Sequence, residues 1–129
     1  MEHRPGADLE WTEAPAEHFT GSVWFGPLAP QPEPESLNAL GVLFAPGART
    51  DWHTHPEGQT LYIVSGAGKV QTAEGETVVV DAGDVVYAPP GQLHWHGSLP
   101  TSYMMHLSLT TGGPTQWQTE KVADEDYLA

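Results

Sequence analysis

Residues 47–59 read Gly47-Ala48-Arg49-Thr50-Asp51-Trp52-His53-Thr54-His55-Pro56-Glu57-Gly58-Gln59. Two histidines stand at i and i+2. In an extended strand such side chains share a face, about 7 Å apart along the chain. That is a two-point clamp for a cation. Pro56-Glu57-Gly58 forces a turn, and Gln59 beyond it offers a side-chain carbonyl oxygen. His94, on a later candidate strand, can close the site from across the sheet. A lone histidine on an apolar face is ordinarily a hydrogen-bonded core residue. A buried cluster of them is hard to explain without a metal.

Outward from this stretch the chain reads as short strands. Its 129 residues suit one domain, and 14 Gly and 12 Pro punctuate it heavily. Strands are predicted over 38–45, 59–65, 68–72, 77–81, 85–88, 93–97 and 102–109. Ala73-Glu74-Gly75-Glu76 is the turn of a hairpin. The expected fold is all-β, a sandwich or barrel. Residues 1–36 read as an arm and a Pro-rich loop, with a helical turn near Ala14–His18 and a first strand over Ser22–Phe25. The loop Ala29–Ser36 is expected on the surface, as a flap. Residues 37–110 form the expected barrel core. Residues 111–129 form a C-terminal strand and tail, whose acidic end (123–129) is expected to fray.

Seventeen acidic residues stand against four basic ones, a net charge of −13. Nucleic acid and anionic membranes are therefore not expected as partners. The absence of cysteine excludes disulfides, thiolate catalysis and zinc–sulfur sites. No apolar leader or membrane-length apolar run is evident, so a cytoplasmic location is expected.

Gly47, His53, His55, Gln59 and Gly66 resemble the first sequence motif of the cupin superfamily, with Gln59 where that family usually has Glu. Gly83, Pro89, Gly91, His94 and Ser98 resemble the second, with Ser98 in place of Asn. The resemblance implies a jelly-roll-like cupin β-barrel, a double-stranded β-helix. It also implies a divalent metal held by His53, His55, Gln59 and His94. A glutamine ligand leaves that set uncharged and makes the ion a stronger Lewis acid. In the alternative, Gln59 is not a ligand and a water takes its place.

Strand parity supplies the rest of the pocket. Leu61 and Ile63 share the face of Gln59, and His96 shares that of His94. Leu40, Val42 and Phe44 are expected opposite, with Met104, His106, Ser108 and Thr110 from the last strand. The result is a small, half-apolar cavity for a small-molecule substrate. His96 and His106 are either packing histidines or carriers of a proton. Trp52 and Trp95 point the other way, into a far layer or a dimer face. His3 and His18 fall outside the pattern and are expected to be exposed.

The segments 44–61 and His94-Trp95-His96-Gly97 look like a subgroup of single-domain bacterial cupins that includes manganese-dependent hydroxynitrile lyases. That likeness implies Mn2+ and a reaction that cleaves or forms cyanohydrins. It also implies His106, with His96, as the proton carrier, and Thr50 as a stabiliser of the oxyanion. Neutral N/O ligands also admit Fe2+, Zn2+ or Ni2+. An iron dioxygenase and a non-catalytic small-ligand-binding cupin are the other readings. A homodimer or homotetramer is expected, paired through an exposed edge such as Ser22–Phe25.

Overall fold

Glycines and prolines cut the chain into extended segments, and each strand finds an antiparallel partner. The structure is a computed structural model that describes residues 1–129. Its strands are β1 (Thr12–Glu13), β2 (Phe19–Thr20), β3 (Val23–Pro27), β4 (Asn38–Phe44), β5 (Arg49–Thr50) and β6 (His53–Thr54). They continue with β7 (Gln59–Thr72), β8 (Thr77–Asp81), β9 (Val85–Ala88), β10 (His94–Ser98), β11 (Met104–Thr110) and β12 (Gln116–Trp117). One helix, α1 (Asp124–Leu128), ends the chain. No helix is long and apolar enough to cross a membrane.

One sheet runs β1-β3-β4-β11-β7-β9. The other runs β2-β5-β10-β7-β8, with β6 pairing β10 and β12 pairing β6. The strand β7 belongs to both, so a single sheet curls into a half-barrel, the all-β fold expected from the sequence. Two strands were expected over 59–65 and 68–72; the structure joins them into one. The join is made at Gly66, whose φ is +77° and whose Cβ position is filled by the Tyr103 carbonyl. Only glycine fits there.

Inward apolar residues fill the barrel around and below the chamber. Val42, Phe44, Leu61, Ile63, Val70, Val80 and Met104 pack there. Each large side chain so buried contributes roughly 1.5–3 kcal/mol. A second cluster lies on the outer side of β10, where Trp95 is fully enclosed by Val122, Tyr127 and Trp52. Trp95 thus faces away from the histidines as expected, and the C-terminal segment is what covers it.

The tail is not frayed. The Tyr127 hydroxyl donates to Ser98 O at 2.5 Å. The Arg49 guanidinium donates to Val122 O at 2.7 Å and lies 4.4 Å over the Tyr127 ring. Lys69 donates to the Tyr127 and Ala129 carbonyls. An acidic composition concealed one buried aromatic, and that aromatic docks the helix. The edge expected to be free at Ser22–Phe25 is also occupied, because β1 pairs Trp24 and Phe25.

Candidate metal centre and active-site pocket

His53 on β6 pairs directly opposite His94 on β10. Their rings lie 4.4 Å apart, and His55 follows with its ring 4.9 Å from His53. The strand β6 ends at Thr54, yet His53 and His55 are both buried on one side as the i, i+2 spacing predicts. The His53 and His94 Nδ1 atoms each meet a backbone carbonyl, Asp51 O at 2.8 Å and Gln92 O at 2.9 Å. A carbonyl only accepts, so each Nδ1 carries the proton and each Nε2 keeps its lone pair.

Gln59, at the start of β7, is oriented by β11. Its Nε2 donates to Ser108 Oγ at 2.8 Å, which turns Oε1 toward His94 Nε2 at 3.0 Å. His94 therefore faces an acceptor at each ring nitrogen. An imidazolium, a turned Gln59 amide or a cation beside Nε2 reconciles that. Burial holds the His94 pKa below its usual value and disfavours the imidazolium. His55 Nε2 is also buried with no partner. The residues thus fit a divalent cation held by His53, His55, Gln59 and His94.

His96 adds a possibility that the sequence reading did not include. Donor nitrogens of His53, His94 and His96 lie within 4.8 Å of one another. His96 Nδ1 is 3.2 Å from His106 Nε2, while its Nε2 is buried and unpartnered. Burial keeps these rings neutral. It lowers His106 to about 3 and His55 to about 4, with His94 adding repulsion at His55. His53 and His96 are pushed well below the ordinary range, first by burial and then by neighbouring histidines. All five rings keep a lone pair at neutral pH.

Beside these donors lies a chamber of about 60 Å³. Leu40, Val42, Phe44, His96, His106, Ser108 and Thr110 line it, together with Thr50. Leu61, Ile63 and Met104 do not. They point inward but lie at the packed end of the barrel, no more than 2% exposed. Parity specifies a face, not a depth. Thr50 also differs from expectation, because its hydroxyl donates to Asp51 O at 2.9 Å and accepts from the His96 N–H at 3.2 Å. Its hydrogen is turned away from the chamber.

The mouth of the chamber was not legible in the sequence. Phe19, Phe25, Thr115 and Trp117 complete the lining. They come from β2, β3 and the segment through β12, so no local pattern joins them. His18, expected to be exposed, is half-buried and stacks on Trp117 at 4.4 Å. A larger open hollow of about 880 Å³ lies between residues 2–9 and 28–30, away from the histidine cluster.

A curled antiparallel sheet wrapped around a buried histidine–amide cluster that faces a small chamber defines a β-barrel fold with a candidate metal site. The chain belongs to the cupin family: the family model described as Cupin domain matches residues 42–109. It is 44% identical over 118 residues to an (R)-mandelonitrile lyase of Granulicella tundricola, covering 89% of each chain. A crystal structure of a cupin-like protein from Thermotoga maritima matches with a TM-score of 0.85 and 35% identity, over 90% of each chain. The polyketide cyclase RemF of Streptomyces resistomycificus shares the fold, at TM-score 0.79 and 16% identity, over 98% of this chain and 90% of that one.

Proposed function

We propose that the chain is a divalent-metal lyase that cleaves and forms cyanohydrins of small, partly apolar carbonyl compounds. Manganese is the ion the sequence resemblance implies. The observation that carries this reading is the His96–His106 pair, which lines the chamber together with the candidate metal donors His53, His55 and Gln59. The likeness to a mandelonitrile lyase supports it.

A divalent ion, when bound, supplies Lewis-acid polarisation of a substrate oxygen. Its protein donors are uncharged and leave its charge undiminished. The proton is the work of side chains. With its Nδ1–H directed at His106, His96 Nε2 accepts the proton of the substrate hydroxyl. The bond between the carbinol carbon and the nitrile breaks, and its electron pair leaves with cyanide. The C–O bond becomes a carbonyl, and the proton passes from His96 to cyanide as hydrogen cyanide. His106 supports the transient imidazolium through the 3.2 Å contact. Thr50 holds the His96 backbone in place of the oxyanion role first expected of it.

The test is metal analysis of the purified protein, with cyanide release from mandelonitrile before and after manganese loading. About one manganese per chain with manganese-dependent release is the expected result. Bound iron without cyanide release would replace the reading with oxygen chemistry.

We propose self-association as well, but through a face, not an edge. Thr60, Tyr62, Val64, Val85, Tyr87, Leu107 and Leu109 stand on the outer side of β7, β9 and β11 without one charge among them. In a chain of net charge −13, an uncharged apolar face suits a second copy, since it keeps like charges apart.

A further inference from the structure

The chamber beside the donors measures about 60 Å³, and its lining does not end there. The chamber continues into a groove of about 450 Å³, and the two share Phe19, Phe25, Asn38, Leu40, Thr115 and Trp117. The junction is aromatic: Phe19 meets Phe25 and Trp117 edge-to-face, each at 5.5 Å. The groove has no Asp, Glu, Lys or Arg in its lining, although the chain carries 17 acidic residues. Gln31 and Pro34 of the Pro-rich loop form its far wall.

We infer that Phe19, Phe25 and Trp117 form a separate subsite for a flat, uncharged aryl tail, which selects aryl over short alkyl substrates. The inference rests on the lyase reading for the identity of the head group, but not for the subsite itself. Ring faces and edges at this junction favour an aromatic tail beyond simple burial. All three residues lie outside the matched region 42–109. Metal donors and proton carriers thus come from the family's core, and tail selection comes from this chain's flanks.

The test uses manganese-loaded protein and two unreactive alcohols, benzyl alcohol and 1-propanol, with affinities from ligand-observed NMR. Phe25→Leu is the main variant, because it keeps an apolar side chain and Phe25 is not among the rings packed on the metal donors. Trp117→Ala is the second, with metal content measured in parallel, since its ring lies 4.8 Å from that of His53. The benzyl-to-propyl affinity ratio should fall about tenfold in each. The ratio of kcat/KM for mandelonitrile over acetone cyanohydrin should fall alike. Unchanged ratios, or equal loss for both alcohols, would overturn the subsite. A fallen alcohol ratio without cyanide release from the parent protein would keep the subsite and remove the lyase reading. Cyanide release with unchanged ratios would do the reverse.

Discussion

The inner face of β11 carries Met104, His106, Ser108 and Thr110, none more than 8% exposed. The outer face carries Met105, Leu107 and Leu109, all half-buried. A strand with one wet face ordinarily places apolar residues inside and polar ones outside. Here that order is nearly reversed. Burying an unsatisfied polar group costs about 1–3 kcal/mol, so a buried histidine and serine need partners that repay the loss. His106 has His96, and Ser108 has Gln59. The partners are Gln59, a candidate metal donor, and His96, the proposed proton carrier. The apolar outer residues, in turn, have no layer of this chain to cover them fully. Under the proposed function, the inside of the strand serves the chemistry and the outside serves contact with a second copy.

The comparison breaks most sharply if the inner polar face loses its ion. His94→Ala removes a donor and the partner of Gln59 Oε1. Bound manganese should fall from about one per chain to below about 0.1, read by elemental analysis after dialysis. Retention of a full equivalent would mean that His53 and His96 hold the ion with another donor, and His96→Ala in the same background would decide it.

His106→Ala leaves the donors in place and removes the support of His96. The expected outcome is a fall in kcat of about 10²–10⁴ at unchanged metal content. Unchanged turnover would make His106 a packing residue. A smaller effect is expected of Ser108→Ala. Without its hydroxyl the Gln59 amide can turn over and present Nε2 to the ion. Manganese affinity should weaken about tenfold, seen by titration without any assay of turnover. Ser108→Thr, which keeps the hydroxyl, should restore it.

Much of the inner face was legible in the sequence, because parity and motif are local properties. The spacing of His53, His55, Gln59 and His94 survives into space, and so does the inward setting of His96 and His106. Three things were not legible. Depth was one: Leu61, Ile63 and Met104 face inward but belong to the packed end. Short pairings were another, since β5, β6 and β12 are two residues each, with β5 and β6 held by the longer β10 and β12 paired only to β6. The third was convergence of distant segments. Phe19, Phe25 and Trp117 meet at the mouth, and Tyr127 returns to Ser98, through contacts that no window of sequence contains.

The outer face gives the smallest expected effect on chemistry and the most direct check on the contrast. Val85 is 62% exposed and lies opposite Tyr62 on β7, so a charge there meets no packed core. Val85→Glu should leave metal content and the melting temperature of the isolated chain near those of the parent. It should shift the mass in solution, measured by light scattering, from a multiple of 13.9 kDa toward the single-chain value. The repulsion would act twice across a two-fold interface, because each copy brings its own glutamate to the same patch. A parent protein that is already monomeric, or a variant that keeps its assembly, would show that the apolar outer residues have another use. The reversal along β11 would then reflect only the needs of its inner side.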